Sequence, residues 1–241
     1  MIKIQNINEI EYEETFEHLI IKEFLPIPIK TLSILIGRGG VGKSMIALQM
    51  AIHYIKENKK NVFLWLSEDS LKESKKRTSN ICKYLKIDEN EISKHLFISN
   101  SKPIEILNKI NGNIFINKEF IEVKKQLKDF ELIILDPLKS FALNLEENSN
   151  SEMDKLMKTI TFWCKDEDKT LMIIHHSSKL GGSRGASSIT DACRLAYEVL
   201  PTNIDNIKNI KIIKDNFNIT GFLKTSQIKI NIGEKNEQIY F

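Results

Sequence analysis

LIGRGGVGKSMIALQMA, residues 35–51, is an apolar run that enters a glycine-rich turn and leaves it, through a lysine and a serine, into a helical pattern. Gly37, Arg38, Gly39, Gly40, Val41, Gly42, Lys43 and Ser44 satisfy GxxxxGK[ST] at every fixed position. The flanks read as a buried strand over residues 31–36 and a helix over residues 43–56, the context that gives this motif its meaning. Glycines there let backbone N–H groups converge on phosphate oxygens, and the helix N-terminus adds partial positive charge. Lys43 is expected to reach the β- and γ-phosphates, and Ser44 to ligate Mg²⁺. Residues 37–45, ending at Met45, are the expected nucleotide-binding stretch.

Such a loop needs a carboxylate as a second ligand for the metal. Asp136 ends the apolar run LIIL, and ligands gather at the carboxyl ends of parallel strands. The residue after it is Pro137, so the base that polarises the attacking water must come from elsewhere. Strand VFLWL, residues 62–66, runs into Ser67-Glu68-Asp69. If it lies beside the strand that carries the loop, Glu68 is the base and Asp69 caps the helix after it. A further strand ends in IIHHSSK. Two adjacent histidines point to opposite faces while the strand persists, so one can face the nucleotide.

The rest of the chain alternates in the same way. Helices are expected over residues 71–85 and 119–127 and along the stripe Met153, Leu156, Met157, Ile160 and Cys164; strands over residues 96–98, 132–135 and 171–174. NGNIFIN suggests a turn and a small extended piece. Residues 210–213 and 227–232 look like consecutive strands with no helix between. The fold class is therefore α/β, a mainly parallel twisted sheet with helices on both faces and antiparallel strands added at the C-terminal edge. Residues 1–30, interrupted by Pro26 and Pro28, read as an N-terminal arm that could pack on another subunit, and residues 31–241 as the ATPase domain.

At 241 residues, 41% hydrophobic and 28% charged, the chain can bury one substantial core. Its net charge of +3 neither demands nor excludes nucleic acid. No apolar run suggests a membrane span, and the acidic start lacks a signal-peptide core, so a cytoplasmic location is expected. Cys82, Cys164 and Cys193 show no zinc or disulfide spacing and read as reduced core thiols. Of 35 basic residues only Arg38, Arg77, Arg184 and Arg194 are arginine. Lysine is the default cation, so an arginine can mark a place that needs a rigid fork.

GRGGVGKSMIALQMA, WLSEDS, LIILDPLKSF, HHSSK with SRGASSITDACR, and IIKDNFN stand in this order. Together they resemble the RepA-type hexameric replicative DNA helicases of plasmids, RecA-like P-loop ATPases related to the DnaB-type helicases. The likeness covers residues 31–218. It implies ATP and Mg²⁺ as ligands, with Lys43 and Ser44 on phosphate and metal, Asp136 supporting the metal and Glu68 activating water. His176 would sense the γ-phosphate, and Arg194 would enter a neighbour's site as an arginine finger. Lys179 and Arg184, in KLGGSRG, would meet DNA phosphates in a central channel. That loop is short beside the family's. Where DnaB-type relatives carry a lysine and an arginine pointing across the subunit interface, Lys214 remains and Asn216 replaces the arginine. With the last strands so near residue 241, little room for a further DNA-binding or primase domain is expected.

The expected function is a ring-forming ATPase motor on single-stranded DNA, a replicative helicase of a plasmid or mobile element. Its expected partners are further copies of itself in a hexameric ring, single-stranded DNA, and a replication initiator or primase; a membrane is not among them. Two other readings stand beside it. One is a RecA- or RadA-like recombination or repair ATPase that forms filaments. The other is a KaiC-like regulatory ATPase whose output is directed at protein.

Overall fold

The computed structural model describes residues 6–9, 21, 24–176, 187–204 and 206–217 in full, and residues 186 and 227–229 as backbone. Among the described residues ten strands and six α-helices follow in chain order: β1 (Leu32–Gly37), α1 (Lys43–Asn58), β2 (Val62–Leu66), α2 (Leu71–Leu85), α3 (Glu89–Ser93), β3 (Leu96–Ser99), β4 (Leu107–Ile110), β5 (Asn113–Ile116), α4 (Lys118–Gln126), β6 (Leu132–Asp136), α5 (Asn150–Asp166), β7 (Thr170–His176), α6 (Ala186–Ala192), β8 (Leu195–Pro201), β9 (Ile207–Asp215) and β10 (Gln227–Lys229).

An eight-stranded sheet runs in the order β10-β9-β8-β1-β7-β6-β2-β3. The pairings from β8 across to β3 are parallel; β9 and β10 add antiparallel at the other edge. Every residue of β1 and β6 is buried. That is why both read as unbroken apolar runs: a central parallel strand is covered on two faces. One face of the sheet packs on α1 and α2 through Ile46, Met50, Tyr54 and Ile81. The other packs on α4 and α5 through Phe120, Met153, Leu156, Ile160 and Trp163. Helix starts are marked by side chains that satisfy the first free N–H groups. Ser70 accepts from the Glu73 N–H before α2, and Ser149 accepts from the Glu152 N–H before α5.

Three expectations change. Strand β2 does not lie beside β1; β7 and β6 stand between them. The segment read as an arm is partly core: Ile21, Leu25 and Ile27 are fully buried, and Tyr197 donates its hydroxyl to the Pro26 carbonyl at 2.8 Å. Strand β8 was not expected and pairs with β1 from Leu195 opposite Ser33 to Val199 opposite Gly37. Its signal was legible as alternation, with Leu195, Tyr197 and Val199 on one face and Glu198 and Leu200 on the other. Among the described residues no helix is long and apolar enough to cross a membrane.

Candidate functional site

The site is assembled at the carboxyl ends of β1, β7, β6 and β2. Strand β1 ends at Gly37, and the chain turns through Gly40, at φ +73°, and Gly42, at φ +100°, into α1. These are left-handed conformations that glycine adopts without penalty. Unlike α2, α4 and α5, helix α1 starts with neither a capping side chain nor an acidic residue in its first turn. Its leading N–H groups are left for an anion. A Cβ placed on Gly39 or Gly40 would meet nothing within 4 Å, so the loop faces open space. Arg38 is exposed, whereas Met45 is buried in the core beneath the loop and can offer only its backbone.

Lys43 is 4% exposed. Its Nζ donates to the carbonyls of Gly37 at 2.8 Å and Arg38 at 2.9 Å, and lies 3.4 Å from His176 Nδ1. Burial lowers its pKa, opposed by the carboxylates of Asp136 and Glu68. A buried ammonium held by backbone carbonyls and facing two acids is poised for a polyanion.

Asp136 closes β6 and is 5% exposed. Burial pushes its carboxyl up to about 6; the Ser44 hydroxyl, hydrogen-bonded to it, and the Lys43 charge oppose this, while Glu68 and Asp69 reinforce it. A carboxyl raised in this way gains most from a nearby cation. Ser44 and Asp136 thus fit Mg²⁺, which commonly takes one or two protein oxygens and fills its shell with water and phosphate.

Glu68 reaches the site although β2 is not adjacent to β1. Ser67 holds the end of β2 against β6: its N–H donates to the Asp136 carbonyl at 3.0 Å, its hydroxyl donates to the same oxygen at 3.1 Å, and that hydroxyl also meets Ser140 Oγ at 3.0 Å. The Glu68 carboxylate stands 4.0 Å from His176 Nε2. That nitrogen is buried and has no hydrogen-bond partner among the described residues. Asp69 is not the cap of α2. Ser70 takes that place, and Asp69 is bound by Arg77. The roles of Ser67, Ser140 and Arg77 were not read from the sequence. Only the scarcity of arginine hinted at the last.

The two histidines part as strand geometry requires. His176 faces the loop; His175 is 5% exposed on the other face, with Nε2 3.8 Å from Glu147 Oε1. Burial lowers the pKa of both.

Arg194 and Lys214 lie elsewhere. Arg194 precedes β8 level with Leu32, at the opposite end of β1 from the glycine loop; its N–H donates to the Leu32 carbonyl at 2.9 Å. Its exposed side chain makes no ion pair with Asp191 or Glu198 among the described contacts. Lys214 donates to the carbonyls of Thr190 at 3.3 Å and Asp191 at 2.5 Å, closing the end of α6 on its own chain. Lys179 and Arg184 lie outside the described residues.

The sequence model of the AAA domain family matches residues 16–182. No curated protein matches the chain in sequence. Among solved structures, the ATPase domain of G40P is 13% identical, with 78% of each chain covered and a TM-score of 0.58. A DnaB-like replicative helicase, described with its interactions with primase, is 14% identical with a TM-score of 0.60; 78% of this chain spans 52% of that one, about half its length. The RadB recombinase is 12% identical with a TM-score of 0.53, over 78% of this chain and 83% of that one. At such identities the likeness is one of fold, the RecA-like α/β core.

Proposed function

Because this chain belongs to the AAA domain family, we propose that it is an ATP-hydrolysing motor that assembles into a ring, a hexamer by likeness, and acts on single-stranded DNA as a replicative helicase of a plasmid or mobile element. The observation that carries the reading is the convergence of Lys43, Ser44, Asp136, Glu68 and His176 at one end of the sheet, with Arg194 at the other. The loop amides and Lys43 hold the β- and γ-phosphates. Ser44 and Asp136 hold Mg²⁺, which when bound neutralises phosphate charge. Glu68 takes a proton from water as that water's oxygen bonds to the γ-phosphorus and the bond to the β-phosphate bridging oxygen breaks. His176 contacts the γ-phosphate and passes its presence or loss to the chain that follows β7, where Lys179 and Arg184 contact DNA phosphates.

Arg194 acts on a neighbour's nucleotide. The rise from Leu32 to Gly37 is about 16 Å at ~3.3 Å per residue, too far for Arg194 to serve its own loop. A site completed in trans hydrolyses well only in the assembly. Lys214 is the second interface candidate, although its ammonium is already engaged within the subunit. A replication initiator or primase is the expected loading partner. The RadB-like fold keeps a filament-forming recombination ATPase as the second reading.

Mass measurement with ATP and Mg²⁺, followed by ATPase assay with and without single-stranded DNA, separates the readings. A closed ring stimulated by DNA is the expected result. An open filament on DNA would favour recombination, and a ring indifferent to DNA would favour a regulatory ATPase. Lys179→Ala with Arg184→Ala should keep basal hydrolysis and lose the DNA stimulation and much of its salt dependence.

A further inference from the structure

Two carboxylates follow β2 in succession, Glu68 and Asp69, yet their surroundings differ. Glu68 is 66% exposed at the side chain and points to the His176 imidazole. Asp69 is 20% exposed and lies against α2, where Arg77 Nη1 donates to its Oδ2 at 2.5 Å. The same guanidinium donates through Nε to Glu73 Oε1 at 3.2 Å. The turn is therefore pinned on both sides of Glu68. Before it, Ser67 is bound twice to the Asp136 carbonyl. After it, Asp69 is bound by Arg77 and Ser70 caps α2.

We propose that Arg77 is a positioning residue for hydrolysis: by holding Asp69 against α2 it withdraws that carboxylate from the nucleotide and fixes the turn that presents Glu68 to water. The proposal rests on the reading of Glu68 as the base. The Arg77–Glu73 contact alone would be an ordinary exposed helix pair of small effect. The contact to Asp69 reaches past the helix cap into the turn itself. One planar, rigid guanidinium holds Asp69 through Nη1 and Glu73 through Nε, a fixed geometry that a lysine ammonium on its flexible stem keeps less well. That accounts for an arginine here, one of four among 35 basic residues.

The test uses the full chain with ATP, Mg²⁺ and single-stranded DNA. Arg77→Gln, Arg77→Lys, Asp69→Asn, the Asp69→Asn/Arg77→Gln double variant and Glu68→Gln are compared. Turnover, affinity for a non-hydrolysable ATP analogue and thermal midpoint are measured for each. Arg77→Gln should lower kcat about tenfold or more, since small misplacements of a catalytic group are costly, while analogue affinity stays within about threefold. Arg77→Lys should fall between it and the wild type. Asp69→Asn, which keeps the side chain's shape, should also lower kcat and guards against a folding defect in the arginine variants. The double variant should be no slower than the slower single one, because both act through one contact. A wild-type kcat in Arg77→Gln and Asp69→Asn, or losses that multiply in the double variant, would overturn the proposal. Wild-type hydrolysis by Glu68→Gln would instead overturn the base assignment on which it rests.

Discussion

Lys43 and Glu68 lie in one electrostatic neighbourhood but should fail differently when replaced. Lys43→Ala removes the buried cation that faces Asp136 and Glu68, so nucleotide binding should weaken and hydrolysis disappear together. Glu68→Gln keeps the shape and removes the proton acceptor. Equilibrium binding of ATP should persist while single-turnover hydrolysis falls by about a hundredfold or more. Wild-type turnover in that variant would shift the role to another group, with Asp69 first. His175 makes a separate prediction, about acid stability. Burial lowers its pKa below the ordinary 6.5, with His176 and Lys43 acting in the same direction and Glu147 against it. The unfolded chain therefore binds a proton that the folded chain refuses. The stability this contributes is complete above pH 6.5 and is lost as the pH falls below it. The urea midpoint should drop between pH 7.5 and pH 5, and His175→Gln should flatten that drop. His176, lowered in the same way, adds to the drop, while Asp136, whose carboxyl is pushed up to about 6, opposes it. An unchanged slope in His175→Gln would place the acid sensitivity elsewhere.

The glycine loop is also a packing device between elements. A Cβ on Gly37 would stand 2.9 Å from the Val199 carbonyl oxygen and 3.1 Å from Val41, so β1 and β8 are held at a separation that only glycine permits. Gly37→Ala should cost about 1–3 kcal/mol, as overpacking does. Gly39→Ala, in open space, should change stability by less than about 0.5 kcal/mol. Urea unfolding of the two variants checks the contrast; equal losses would show that the strand contact is not limiting. The elements themselves were largely legible. Strand β2 and helix α2 fall on residues 62–66 and 71–85 as expected, because each is bounded by a polar turn and carries one periodicity. The glycine loop was legible for a stronger reason: a phosphate-binding turn asks for these residue types whatever the rest of the fold. What escaped was whatever depends on who lies beside whom. The place of β2, separated from β1 by two intervening strands, leaves no local trace. Ser67 fixes the end of β2 to its neighbour β6 through a backbone carbonyl, which any sequence could supply. Asp69 looked like a helix cap because it precedes a helix. Its real partner, Arg77, stands eight residues further on. Strand β8 was passed over although its alternation of Leu195, Tyr197 and Val199 with Glu198 is a strand signal, and the burial of Ile21, Leu25 and Ile27 was masked by Pro26 and Pro28.

At the scale of the whole molecule the open question is whether the site is complete within one chain. Arg194 is exposed, at the far end of β1 from the glycine loop, and its backbone is fixed on both sides, by the Leu32 carbonyl and by the Asn216 N–H at 3.0 Å. A guanidinium so anchored and so directed toward solvent suits a surface that meets another copy. If it completes a neighbour's site, Arg194→Ala should bind ATP with near-normal affinity and hydrolyse it poorly, since a finger supplied in trans carries a large share of the rate. Lys43→Ala should be inactive for a different reason, loss of the phosphate cation in its own loop. Mixing the two inactive proteins under conditions that allow subunit exchange then distinguishes trans from cis. Where an Arg194→Ala subunit presents its intact loop to a Lys43→Ala neighbour, that interface holds both Lys43 and Arg194, and hydrolysis should partly return. The yield depends on how turnover is shared around the assembly. A ring that needs every site active would stay silent in mixtures, but a small fraction of Arg194→Ala subunits would then poison wild-type protein more than in proportion. Either response is a statement about subunits acting on one another. Near-normal hydrolysis by Arg194→Ala alone would remove the finger assignment and leave Arg194 as a surface cation.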